Sequence, residues 1–308
     1  MTSNILMIEP VAFGFNEETA ANNYFQQFDQ TPADRIQAAA QQEFAAMVAK
    51  LRAKGVNVIS IPDTLEPRTP DSVFPNNWVS FHQDGRVVLY PMFAPNRRAE
   101  RRDDILQIIQ HKGFQVKEIV DYTKAEDEAR YLEGTGSMVL DREARIAYAV
   151  LSERTDQELL TTFCRDFGYT SCCFHAMQHV DGKRLPIYHT NVMMCVADKY
   201  AVVGFDSMDD FNEREALRNQ LKASGKEVIV ELTEAQIHRF AGNMLQVKNE
   251  EEIPLLVLSQ TAYDALNPDQ ITALASFNEL VTVNIPTIER YGGGSARCMM
   301  AEIYNITL

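Results

Sequence analysis

The sequence predicts an α/β protein folded as one domain over residues 1–308. Three observations carry this. Short, β-branched apolar segments bounded by Gly, Pro, Asn or Asp recur along the whole chain, as strands do. Helically patterned stretches alternate with them. No Pro/Gly/Ser-rich linker divides the chain.

The first strand is expected at Ile5–Glu9. Pro32–Lys54 follows as the clearest helix, rich in Ala and Gln and stopped by Gly55. Val56–Ile61 is the next strand, and Asn77–Phe81 with Arg86–Tyr90 form a close pair ahead of the helix Ala99–Lys112. Ser137–Leu140 and Ile146–Val150 precede the helix Asp156–Phe167 in the same way, and Met193–Val196 and Tyr200–Val203 precede Asp210–Ser224. Strands Val228–Leu232, Leu255–Leu258 and Val281–Ile285 alternate with helices Glu234–Phe240 and Pro268–Phe277, and a strand-like stretch Cys298–Ile306 ends the pattern. Strand pairs ahead of helices suggest a repeated ββα unit more than a simple βαβ chain, although the residues themselves show no repeat.

Composition excludes several function classes. A net charge of −14 repels phosphate backbones, so nucleic acid is not an expected partner. No apolar run approaches the length of a membrane span. The start, MTSNILMIEPVAFGFN, has no basic region and too short an apolar run for a signal peptide, so a cytoplasmic location is expected. The five cysteines, Cys164, Cys172, Cys173, Cys195 and Cys298, are odd in number, irregularly spaced and free of any C-x-x-C pair. That argues against a disulfide framework and against a zinc site.

Seven segments carry residues with chemical potential. Asp71-Ser-Val-Phe-Pro-Asn76-Asn77-Trp78 holds paired amides. Arg97 and Arg98 open a basic cluster with Arg101 and Arg102, and Arg154 follows a strand; each can clamp a carboxylate through its planar fork of donors. Glu133 precedes Gly134-Thr-Gly136, which lacks the third glycine of a dinucleotide fingerprint. His189 and Asn191 are two apart, so on a strand they face one side. Phe240-Ala-Gly-Asn243 comes next, and Cys298 follows Gly292-Gly-Gly-Ser-Ala-Arg. Of the remaining histidines, His82 and His111 read as surface positions, and His175, His179 and His238 lack a partner pattern. Taken singly, each segment more often has a plain reading: a buried cysteine after a turn, a satisfied core histidine, an acidic turn residue, arginines on a solvated face. The combination in this order favours chemistry, with Cys298 as nucleophile, a base beside it and cations for a substrate carboxylate.

In that order the motifs resemble those of the guanidine-modifying enzymes, the penteins, which include arginine deiminase, dimethylarginine dimethylaminohydrolase and the amidinotransferases. The likeness runs from about Asp71 to Cys298, and is nearest to bacterial arginine-deiminase-related proteins of this size, a group that includes citrulline hydrolases. The resemblance implies an α/β-propeller of five ββαβ units about a pseudo-fivefold axis, with the active site in the central channel and no metal or organic cofactor. It implies that Cys298 attacks the guanidino or ureido carbon to form a covalent intermediate. His189 would protonate the leaving nitrogen and then activate water, and Glu133 would orient the terminal nitrogens. Arg154 with Arg98 or Arg97 would bind the substrate carboxylate.

Two departures bear on the substrate. Relatives acting on a guanidinium usually carry aspartate where this chain has Asn76-Asn77, and again where it has Asn191. Amides remove negative charge and add N–H donors, which suits the carbonyl oxygen of a neutral ureido group. The expected reaction is therefore citrulline to ornithine, ammonia and carbon dioxide. If Asp71 supplies the missing carboxylate, the substrate is an arginine-like cation instead. An amidinotransferase would share the intermediate but pass it to an amine, and a non-catalytic binding protein would have no reason to keep Cys298, His189 and Glu133 together. The expected partner is a small amino-acid substrate; a homodimer is compatible with the sequence, which does not fix the oligomeric state.

Overall fold

Among the described residues the alternation of strand pairs and helices resolves into five three-stranded sheets plus one separate hairpin. The structure is a computed structural model describing residues 1–304. In every sheet the middle strand pairs antiparallel with one neighbour and parallel with the other. The sheets are Ala301–Ile303/Asn4–Glu9/Asn57–Pro62, Val79–Phe81/Arg86–Leu89/Glu118–Asp121, Val139–Asp141/Ile146–Val150/Thr170–Phe174, Met194–Val196/Tyr200–Val203/Val228–Glu231 and Leu245–Lys248/Pro254–Ser259/Glu279–Val283.

A parallel pair needs a long crossover, and helices supply each one. They are Ala33–Ala53, Asp103–His111, Gln157–Phe167, Phe211–Ala223, and in the fifth unit Gln260–Ala265 with Pro268–Ala275. Each unit is thus strand, strand, helix, strand. The first unit takes its opening strand from the other end of the chain, where Asn4–Leu6 pairs with Ala301–Ile303. The short opening strands of several units approach one another: 301–303 meets 79–81, 139–141 meets 194–196, and 194–196 meets 245–248.

The crossover helices are amphipathic. Ala33–Ala53 buries Ile36, Ala40, Phe44, Met47, Val48 and Leu51, spaced as one face of a helix requires. Gln157–Phe167 starts where Asp156 accepts from Leu159 N and stops at Gly168, whose positive φ is a standard helix ending. Strands Ile146–Val150 and Tyr200–Val203 are buried throughout, as expected for middle strands covered on both faces. Lys226 and Asp141 form a charge pair 2.7 Å long with both side chains almost fully buried.

The structure corrects several local expectations. His82 is buried, not on the surface: its Nε2 lies 2.9 Å from Ser80 Oγ and its ring packs 4.3 Å from that of Phe167. His189 is extended, but Thr190–Val192 is a 3₁₀ turn and the strand begins only at Met194. Ser137 closes a helical turn Gly134–Ser137 instead of opening a strand. The last strand is Ala301–Ile303, so Cys298 stands three residues before it; Ile306 lies outside the described residues. Among the described residues no helix is long and apolar enough to cross a membrane.

Candidate active site

Five short turns, each just ahead of a unit's opening strand, converge on one place. They are Pro75–Asn77 before Val79, Gly134–Ser137 before Val139, Thr190–Val192 before Met194, Phe240–Asn243 before Leu245, and Arg297–Met300 before Ala301. Gly136 lets three of them meet. A Cβ there would fall 2.3 Å from Asn77 Nδ2 and 2.8 Å from His189 Nδ1. No side chain fits in that gap.

His189 is held from both sides of its turn. Thr190 Oγ1 donates to Ser137 O and accepts from Val150 N. The ring directs Nε2 at Glu133 Oε2, 2.8 Å away, which leaves Nδ1 without a protein partner among the described residues. Glu133 Oε1 accepts from Phe93 N at 2.8 Å, and Arg154 stands 3.5 Å from Oε2. Burial opposes ionisation of Glu133, but Arg154 and the hydrogen bond from His189 outweigh it and hold the carboxyl down at about 2. Burial pulls His189 down to about 4 despite the hydrogen bond to Glu133. Near neutral pH the pair is therefore carboxylate and neutral imidazole, with Nε2–H donating and the Nδ1 lone pair free.

Cys298 Sγ accepts from two amides, Asn243 Nδ2 at 3.2 Å and Asn191 Nδ2 at 3.4 Å. The other cysteines have no such surroundings. Burial pushes Cys195 up to about 12 and Cys164 and Cys172 up to about 11, so these thiols stay protonated and unreactive.

Arg97 is buried and fully engaged. It forms a two-pronged pair with Glu100 at 2.8 and 2.9 Å and donates from NH1 to Asn77 Oδ1 at 2.9 Å. That bond fixes the Asn77 amide, so its Nδ2 is the end left without a partner. Asp71 Oδ2 accepts from Asn16 and Thr19, while Oδ1 is buried and unpaired among the described residues. Burial raises the Asp71 pKa, against the pull of Arg97. Arg154 lies over the Tyr188 ring and donates to Asn22 Oδ1 and Thr19 O.

Cys298, His189, Asn77, Arg97, Arg154 and Asp71 line one small cavity with Asn23, Phe74, Tyr188, Gly292 and Gly294. Glu133 stands behind His189, and Asn191 stands beside the sulfur, with its Oδ1 unpaired. These two reach the site without lining the cavity, and two further expected residues stand apart from it. Asn76 is buried with neither amide end bonded, and Arg98 turns outward to Glu126 and Met92 O. Larger clefts lie elsewhere, one around Asp141, Arg142, Cys195 and Glu302 and another around Phe25, His179 and His238. Neither sets a reactive thiol against a base, so chemistry rather than size marks the site.

Residues 16–23 were absent from the expected set. Asn16 caps the one-turn helix Glu17–Ala20, Thr19 lies within it and Asn22 and Asn23 follow it; so short an element carries no periodicity, and only the contacts with Asp71, Arg154 and the Gly292–Gly293 backbone reveal these residues. Asn243 stood in a recognised motif but had no assigned role.

A family model described as N,N dimethylarginine dimethylhydrolase, eukaryotic, matches residues 9–305. No curated protein matches significantly. Among solved structures, ArgZ, an arginine dihydrolase from the ornithine–ammonia cycle in cyanobacteria, superposes with a TM-score of 0.73 at 15% identity, covering 99% of this chain and 41% of that one. The present chain thus spans about two fifths of full-length ArgZ. The N-terminal domain of ArgZ, solved as a cysteine-to-serine variant bound to substrate, gives 0.71 at 15% identity and 99% coverage of both chains. A dimethylarginine dimethylaminohydrolase, solved as an adduct with 4-chloro-2-hydroxymethylpyridine, gives 0.63 at 15% identity, covering 98% of this chain and 99% of that one. At these identities the superpositions show a shared α/β fold.

Proposed function

The chain belongs to the N,N dimethylarginine dimethylhydrolase family of enzymes that hydrolyse C–N bonds, and from the amides of its site we propose that Cys298 attacks the terminal carbon of a citrulline-like ureido amino acid. One observation supports the ureido reading: among the described residues Asn77, in the cavity wall, leaves a donor, Nδ2, unpaired, and Asn191, beside the sulfur, leaves an acceptor, Oδ1, unpaired. A ureido group offers a carbonyl oxygen to the first and an N–H to the second. A guanidinium offers only N–H groups and would leave Asn77 Nδ2 facing another donor.

In the proposed sequence the Cys298 thiol gives its proton to His189 Nδ1, and the imidazolium is stabilised by the Glu133 carboxylate. Sulfur bonds to the ureido carbon, His189 passes the proton to the leaving nitrogen, and ammonia departs, leaving an S-thiocarbamate. His189 then takes a proton from water, whose oxygen attacks the same carbon and expels the thiolate. The N-carboxy product loses carbon dioxide to give ornithine. Every step uses side chains, and no cofactor is required. Arg154 and Arg97 line the cavity as its cations, and Asp71 Oδ1, unpaired among the described residues, would accept from a substrate ammonium.

An arginine-like substrate is the second reading. The Asp71 carboxylate in the cavity and the family itself favour it, and one relative carries a covalent bond to a reaction intermediate as an arginine dihydrolase. We further take the five units to surround a pseudo-fivefold axis within one catalytic domain, supported by the approach of their opening strands. The deciding assay incubates enzyme with citrulline, arginine and dimethylarginine and measures ammonia and ornithine. Citrulline turnover that Cys298→Ser abolishes is expected; arginine turnover with citrulline inert would overturn the ureido reading.

A further inference from the structure

We infer that Asn243 is a catalytic residue of this site, the fixed N–H donor that stabilises the Cys298 thiolate when sulfur attacks and again when it leaves. The inference rests on Cys298 being the nucleophile, and not on which substrate it attacks.

The amide of Asn243 has only one orientation. Its Oδ1 accepts from Arg297 N at 3.1 Å, so the opposite end must be Nδ2. From there Nδ2 donates to Asn191 O at 2.9 Å and to Cys298 Sγ at 3.2 Å. A neutral thiol is a weak acceptor, whereas a thiolate is a strong one, so this N–H favours the charged form. The residue is fully buried, and such a donor gains strength where water is excluded.

Local structure exists to deliver it. Asn243 N closes a turn onto Phe240 O at 2.8 Å, and Phe240 takes the left-handed φ of 60°. A Cβ on Gly242 would fall 2.5 Å from Val192 O, so glycine alone lets this turn lie on the Thr190–Val192 turn. The second donor, Asn191 Nδ2, is longer at 3.4 Å and belongs to an amide whose other end is unpaired. Asn243 is thus the sulfur's permanent partner, while Asn191 retains a free oxygen for substrate.

The step balances with the reaction proposed above. On attack the S–C bond forms and the sulfur loses its charge, and the Asn243 hydrogen bond weakens. On expulsion the S–C bond breaks, the electron pair returns to sulfur, and the same N–H meets it again. No proton leaves Asn243.

The test is alkylation of Cys298 by iodoacetamide as a function of pH, read on the tryptic peptide that begins at Cys298, in wild type, Asn243→Ser and Asn243→Asp. It needs no substrate, so it stands or falls apart from the ureido reading. The charged and titratable groups around the sulfur, His189 with Glu133, Asp71, Tyr188, Arg97 and Arg154, are retained in all three proteins; Asn243→Ser adds no charge and isolates the lost donor, whereas Asn243→Asp also sets a carboxylate against the sulfur. Both variants are expected to alkylate about tenfold or more slowly at pH 7, as loss of a hydrogen bond to a charged group implies, with the rate profile moved to higher pH. In turnover, kcat should fall while KM stays near wild type. A folded variant whose profile superposes on wild type overturns the inference. Wild type supplies a second measurement that needs no mutation at position 243. The side-chain amide resonance of Asn243 should follow the titration of Cys298 and lose that response in Cys298→Ala; absence of any response also overturns the inference.

Discussion

Gly136→Ala tests the site without replacing any side chain that does chemistry. The added Cβ would lie 2.3 Å from Asn77 Nδ2 and 2.8 and 2.9 Å from the His189 ring, where ordinary contact begins at 3.4 Å. The Asn77 amide must therefore move by about 1 Å and the imidazole by about half that, and a misplacement of ~1 Å can cost on the order of 10²-fold in rate. The backbone is not the obstacle, because Gly136 is not among the glycines with positive φ and sits within a helical turn. Alanine is favoured there by roughly 0.5–1 kcal/mol, against about 1–3 kcal/mol for overpacking, so the variant should stay folded. Substrate turnover and thermal melting are measured side by side. The expected result is a kcat/KM lower by about 10²-fold, with the fold retained. A folded Gly136→Ala enzyme with activity within about threefold of wild type would refute the arrangement of Asn77 and His189 around this glycine.

The remaining predictions concern charge. Glu133→Gln removes the carboxylate that orients His189 and supports its protonated form, and turnover should fall by about 10²-fold or more, in the range for acid–base assistance. Stability should fall on the acid side for a defined reason. His189 drops from 6.5 to about 4 and Glu133 from 4.5 to about 2 on folding, so the unfolded chain binds protons first at both. Stability is then unaffected by His189 above about pH 6.5, is lost as pH falls from there towards 4, and continues to fall through the Glu133 window below. Urea midpoints from pH 8 to 4 check this, and His189→Gln should flatten the upper part of the curve. Asp141→Ala leaves Lys226 buried without its partner, which should cost about 3–5 kcal/mol by urea unfolding while leaving the alkylation of Cys298 unchanged.

Much of this was legible in the sequence because strands and helices carry their own periodicity. The crossover helix Ala33–Ala53 falls within one or two residues of its expected limits, and the strand pairs ahead of helices are those observed. Turns were less legible. His189-Thr-Asn191 has the spacing of a strand face, yet a 3₁₀ turn brings His189 to the cavity and Asn191 to the sulfur by another route. Arg97 and Arg98 cannot be separated by composition, but adjacent residues in a 3₁₀ helix point about a third of a turn apart, so only one enters the site. The helix Pro286–Gly292 was missed because it runs straight into the glycines that read as a loop. His82 read as a surface residue, since nothing local shows that a ring from 85 residues later, Phe167, will cover it. Residues 16–23 were invisible for the same cause: their partners, Asp71, Arg154 and Gly292, lie far along the chain.

The absence of a residue-level repeat hid the rule that organises the site. Each unit contributes from the same place, the turn before its opening strand, and each contributes something different: Asn77, Glu133 with Gly136, His189 with Asn191, Asn243, and Cys298. Sequence similarity between the units has no physical reason to persist where every turn performs a separate task. What must persist is the placement, because the opening strands lie next to one another and their preceding turns therefore share one space. This explains how chemistry distributed over more than 200 residues meets within hydrogen-bond distance. It also explains why Asn243, the fifth unit's contribution, falls beside the sulfur. With amides in three of the five turns, the electrostatics around the reacting carbon lean on dipoles rather than charge, which suits a neutral ureido group. If arginine proves to be the substrate, its cation must be balanced by Asp71 and Glu133 alone. Asp71→Asn should then abolish catalytic turnover of arginine, whereas with citrulline it should chiefly raise KM through the lost ammonium contact.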